Sequence, residues 1–144
     1  MKFSLSLLTI LISVVSGHFT LDYPPTTGFD EDQEPNAPCG GFNPNLDNLT
    51  DFPLVGGEIS FDLHHPYALF IARAQLVGSQ DWVNLTDGFI YQSGLGEGCI
   101  NALAVPQNWS NQVAAIQVVG QPPDGILYQV HSLSCELCGS VADL

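Results

Sequence analysis

Short stretches of this chain alternate between apolar and polar residues, and that period of two predicts strands. Phe19-Thr-Leu-Asp-Tyr23 alternates and then stops at Pro24-Pro25. Ile59-Ser-Phe-Asp-Leu63 alternates strictly. Tyr67 to Val77 is a largely apolar run that reads as a buried strand or a short helix. Phe89-Ile-Tyr91 predicts a short strand before the glycine-rich turn Ser93-Gly-Leu-Gly-Glu-Gly98. Residues 114–119 and 126–130 predict two strands joined by the turn Gln121-Pro-Pro-Asp-Gly125. Residues 26–57, rich in Gly, Pro, Asn and Asp, predict one long ordered loop. Short strands punctuated by turns point to an all-β fold, an antiparallel immunoglobulin-like β-sandwich with long loops.

The first 17 residues do not fit that pattern. Lys2, the apolar run Leu7–Val15 and the small residues ending at Gly17 read as a secretory signal peptide. The expected organisation is a signal over 1–17 and one domain over 18–144. Removing 17 of the 144 residues leaves 127, enough for a single core. The apolar run is too short for a stable membrane span.

Export changes the reading of the remaining residues. Cys39, Cys99, Cys135 and Cys138 become candidates for two disulfides, with three possible pairings. Cys135 and Cys138 form a CxxC, but without a second such pair a structural role outranks zinc binding. The sequons at Asn48, Asn84 and Asn108 predict surface glycosylation. Loss of Lys2 takes the formal charge from −13 to −14 and leaves Arg73 as the one strong base. Such a chain repels nucleic acid and attracts cations, and it also stays soluble.

Cleavage after Gly17 would make His18 the first residue, with its α-amine beside its imidazole. Two nitrogen donors on one residue can close a chelate ring, and tetragonal nitrogen sites favour Cu(II). The plainer alternative is that a signal must end somewhere and a histidine happens to follow. A second histidine signal is His64-His65-Pro66. Pro66 holds His65 in extended conformations, which suits a rigid ligand. The alternative there is an exposed histidine pair at a loop entrance.

Several ordered segments carry a resemblance. They are His18-Phe-Thr-Leu-Asp-Tyr-Pro24, Pro38-Cys-Gly-Gly41, Asp51-Phe-Pro-Leu-Val-Gly-Gly57, His65-Pro66 and Gly96-Glu-Gly-Cys99. Ile116-Gln-Val-Val119 and Asp124-Gly-Ile-Leu-Tyr-Gln129 complete the set. Together they resemble the fungal copper-acquisition factors, cell-surface copper-binding proteins related to lytic polysaccharide monooxygenases. The resemblance implies copper as the bound ion, held in a histidine brace by the amine and ring of His18 and by His65. It implies a carboxylate as a further ligand, and a location outside the cell or at its surface. It also implies a cell-surface copper transporter as a partner, and a lipid anchor for which this chain carries no hydrophobic tail.

The chain departs from the family pattern in three places. Thr26-Thr27-Gly28 stands where an arginine often follows the N-terminal prolines. In place of the family's Tyr-Gln-Cys-Ala-Asp, Tyr128-Gln129 is followed by Val130-His131-Ser132. Val141-Ala142-Asp143 reads as the displaced remainder, which makes Asp143 the candidate carboxylate behind an insertion over 130–140 that loops out. His131 is a substitute ligand on another reading, and on a third the ligand is lost. The sandwich is then truncated at its last strand.

The expected function is non-enzymatic capture of Cu(II) for copper homeostasis. One alternative is a copper-dependent lytic polysaccharide monooxygenase, for which Trp82 and Trp109 are the candidate sugar-facing aromatics. Another is a structural cell-wall glycoprotein that has lost its metal site. The acidic cluster at residues 30–34 favours metal attraction.

Overall fold

A computed structural model describes residues 17–136. The candidates Cys138 and Asp143, and residues 1–16 of the signal segment, lie outside them. Nine strands follow in order: β1 Phe19–Tyr23, β2 Leu49–Pro53, β3 Val55–Leu63, β4 Tyr67–Leu76, β5 Val83–Asn84, β6 Ile90–Ser93, β7 Gly96–Ala104, β8 Val113–Gln121 and β9 Leu127–Glu136. They form a three-stranded sheet, β1-β3-β7, and a six-stranded sheet, β2-β9-β8-β4-β5, with β6 also paired to β4. The fold is the expected all-β sandwich. One pairing departs from the antiparallel expectation: β2 runs parallel to β9.

The core lies between the sheets and follows the period-two pattern. Phe19, Phe61 and Phe70, from β1, β3 and β4, pack edge-on and tilted at centroid distances of 4.2–6.3 Å. Gly98 pairs with Phe61 in the ladder. A Cβ there would come within 2.5 Å of the Phe61 ring, so the aromatic core requires glycine at that position. The expected glycine-rich turn is therefore partly strand: β7 begins inside it.

Two further expectations are corrected. Residues 49–53, inside the expected loop, form β2, because their ladder partner on β9 is far away in sequence. Residues 130–136 do not loop out as an insertion. They continue β9, paired with β2 on one side and with β8 on the other. Leu127, Leu133 and Cys135 face the core, and this burial holds the segment in the sheet.

The expectation of two disulfides finds no support among the described cysteines. Two disulfides among four cysteines would need a bond among Cys39, Cys99 and Cys135, and all three are free. Cys99 is exposed on the smaller sheet, whereas Cys135 is buried in the larger one. The Cys39 loop lies over the outer face of the larger sheet. There the Gln117 amide donates to the Pro38 carbonyl, and Gln117 pairs with Val130. Val130 stands where the resemblance expects a cysteine.

Candidate metal centre

The start of β1 and two connections between strands bring the candidate residues together. His18 immediately precedes β1. His64, His65 and Pro66 connect β3 to β4, where proline ends one strand and the sheets exchange. Asp124 sits in the β8–β9 turn, which the Pro-Pro-Asp-Gly sequence closes.

The His18 carbonyl accepts the His64 N–H at 2.9 Å. Their rings stack at a centroid distance of 4.3 Å, and Phe29 lies against His18 at 5.2 Å. His65 is 8% exposed. Its ring lies against the backbone of residue 17: a Cβ built on Gly17 would fall 1.9 Å from His65 Nε2. The His65 ring thus abuts the residue immediately before His18.

Each of these imidazoles has a carboxylate partner. His65 Nε2 lies 2.9 Å from Asp124 Oδ1 and 3.1 Å from Oδ2. His18 Nδ1 forms an ion-pair contact with Glu31 Oε1. His64 Nε2 faces Asp62 Oδ2 at 3.3 Å. Glu31 belongs to the acidic segment 30–34, and Asp124 to a turn that reads in the sequence only as a turn. Neither was predicted as a ligand, because each partner is remote along the chain.

Another carboxyl lies just inside the site. Glu34 is buried and accepts from the Phe19 N–H and from Gln129 Nε2. Burial raises its pKa to about 7, opposed by the Gln129 and Phe19 hydrogen bonds and aided by the nearby Glu31.

Other candidates lie elsewhere. His131 Nε2 meets Thr50 Oγ1 at 2.8 Å between β9 and β2, so this side chain is engaged away from His18 and His65. Burial lowers its pKa, while the Pro25 backbone pulls the other way. Ser132, at the family's aspartate position, is buried beside Leu49 and Ala115 in the ladder. Asn48, Asn84 and Asn108 are exposed. Trp109 belongs to the core, and Trp82 is half-buried beneath the Arg73 guanidinium at 5.1 Å. The exposed aromatic pair is instead Tyr67 and Tyr91, at 6.1 Å.

Among the described residues, no three His, Cys, Asp or Glu side chains form a ready cluster for a metal ion. A brace draws on two imidazoles and a main-chain amine, so two of its three nitrogens come from one residue. Side-chain donors lying side by side on one transition-metal ion at bonds of roughly 2 Å stand about 3 Å apart. The His65–Asp124 pair has that spacing.

Fold and site define an all-β sandwich that presents histidine–carboxylate pairs at one end, a surface suited to a metal cation. Comparison with known proteins narrows this class. Residues 16–134 match the domain family described as copper acquisition factor BIM1-like, and the chain belongs to that family. It is 34% identical to copper acquisition factor BIM1 of Cryptococcus neoformans var. grubii, over 90% of this chain and 65% of that protein. It is 26% identical to the lytic polysaccharide monooxygenase-like protein X325 of Yarrowia lipolytica, over 89% of this chain and 52% of that protein. The chain thus spans just under two thirds of the length of the BIM1 relative. That family takes its description from copper acquisition, and both relatives are fungal proteins.

Proposed function

We propose that this protein is exported, cut after Gly17, and captures Cu(II) without catalysing oxidation. The amine and Nδ1 of His18 and the Nε2 of His65 supply a histidine brace, and Asp124 supplies the carboxylate. The observation that carries this reading is the contact of the His65 ring with the backbone of residue 17. Cleavage there would turn the adjoining His18 amide nitrogen into an amine with a free lone pair. Imidazole and amine nitrogens in a tetragonal set satisfy Cu(II), and an anionic oxygen stabilises that charge state. The acidic cluster and Asp62 add a local field that concentrates cations. A cell-surface copper transporter is the proposed acceptor.

The test is a copper titration of mature protein with a native His18 terminus, beside the same protein carrying one extra methionine. Tight stoichiometric binding by the native form alone is the expected result. Equal binding by both forms, or by neither, would overturn the brace. A second reading, oxidation of a polysaccharide, draws on the exposed Tyr67–Tyr91 pair, of which Tyr67 directly follows the His65-Pro66 corner. Peroxide-driven cleavage of a glucan or chitin by the copper-loaded protein would favour it over capture.

A further inference from the structure

Phe19 follows the N-terminal candidate ligand, and side chains grip both of its backbone groups. Its N–H donates to Glu34 Oε1 at 3.3 Å. Its carbonyl accepts from Gln129 Nε2 at 3.2 Å. The same Nε2 donates to Glu34 Oε1 at 3.2 Å, so the two gripping side chains are joined. The Glu34 carbonyl accepts the Tyr128 N–H at 3.0 Å, tying the acidic loop to β9. Thr26 donates its hydroxyl to Gln129 Oε1 and fixes which way the amide points.

This arrangement is costly. Glu34 is 1% exposed, and its Oε2 meets no hydrogen-bond partner among the described residues. Burying a carboxyl without a cationic partner is unfavourable. Arg73, the one strong base among the described residues, is engaged by Gln117 and Trp82. A small apolar residue would serve the core at least as well. What Glu34 provides is an acceptor for the first amide of the mature chain, the Phe19 N–H. Chain termini fray unless they are tied down, and a chelate built on a frayed terminus must order it on binding. With Phe19 held on both sides and the His18 carbonyl held by the His64 N–H, that ordering is already done.

We propose that Glu34 and Gln129 are positioning residues that pre-form the chelating conformation of His18; the inference rests on the copper reading above. The test uses mature protein with a native His18 terminus. It measures the Cu(II) dissociation constant by chelator competition, the Cu(II) electron paramagnetic resonance spectrum, and hydrogen exchange of the Phe19 amide without metal. Glu34→Ala should weaken binding by roughly 10–100-fold, as for other supports of metal ligands. It should also speed Phe19 exchange by at least about tenfold, a loss of about 1.4 kcal/mol of local protection. Glu34→Gln keeps the accepting oxygen and should restore all three readouts. A folded Glu34→Ala protein that binds within about twofold of the parent, with the same spectrum, would overturn the clamp and leave the brace standing. A parent that binds no copper overturns both. If Glu34→Ala does not fold, Gln129→Met is judged by the same criteria.

Discussion

At Asp124 one carboxylate meets the imidazole of His65 across 59 positions of sequence. Local pattern singles out His18, through the expected signal cleavage, and His65, through the following proline, as candidates. It does not reveal Asp124, because Pro-Pro-Asp-Gly is complete as a turn and says nothing about what the aspartate faces. The family pattern directs attention to Asp143 instead, which lies outside the described residues. Asp124→Asn keeps the side-chain volume and an accepting oxygen but removes the anion. It should weaken Cu(II) binding by roughly 10–100-fold, whereas Asp143→Asn should leave it unchanged. Chelator competition on both variants checks this, and the opposite ranking would return the ligand role to Asp143.

Strands were legible where alternation was clear, as in β1 and the second half of β3, or where an apolar run met a strong turn signal, as in β8. They were hidden where tertiary demands overrode composition. β7 carries glycine because Phe61 needs the space at Gly98. β2 ends at Pro53 among turn-forming residues, and its parallel pairing with β9 has no local signature. β9 was cut short at Val130 by comparison with a family motif. Its apolar/polar period is broken where Gln129 and His131 take buried positions between Leu127 and Leu133, and it resumes at Leu133-Ser-Cys135. The buried His131 makes the β2–β9 pair acid-sensitive. Its folded pKa is lowered by burial, so the unfolded chain binds the proton more readily. Stability is unaffected well above the unfolded histidine value of about 6.5 and declines as pH falls below it. Glu34 works in the opposite sense: its raised pKa removes stability as pH rises from 4.5 to about 7. Only the difference between a variant and the parent therefore isolates either group. His131→Leu should lower urea stability at pH 7, by leaving Thr50 unpaired, and lose less than the parent between pH 7 and 5. Parallel urea midpoints in that interval would refute a buried neutral histidine.

Across the whole molecule, the candidate site joins the two sheets. His18 leads into the three-stranded sheet, Asp124 turns within the six-stranded one, and His65 lies on the connection between them. An ion held by all three would bind the folded chain and have little affinity for the unfolded one, where these residues are separated. Linkage then sets the size of the effect: free copper at 100 times its dissociation constant stabilises by about 2.7 kcal/mol. For a chain of this size, at roughly 4 °C per kcal/mol, that is an upward shift in Tm of about 10 °C. The acidic surface acts in the same direction, because the bound cation offsets self-repulsion within the compact state. Differential scanning calorimetry of the mature protein should show Tm rising with the logarithm of free Cu(II) and returning to its starting value on chelation. With one residue left ahead of His18, the amine and the chelate ring are both lost, and the slope should collapse. A copper-dependent Tm that survives the extension would place the ion on the acidic surface rather than in the brace.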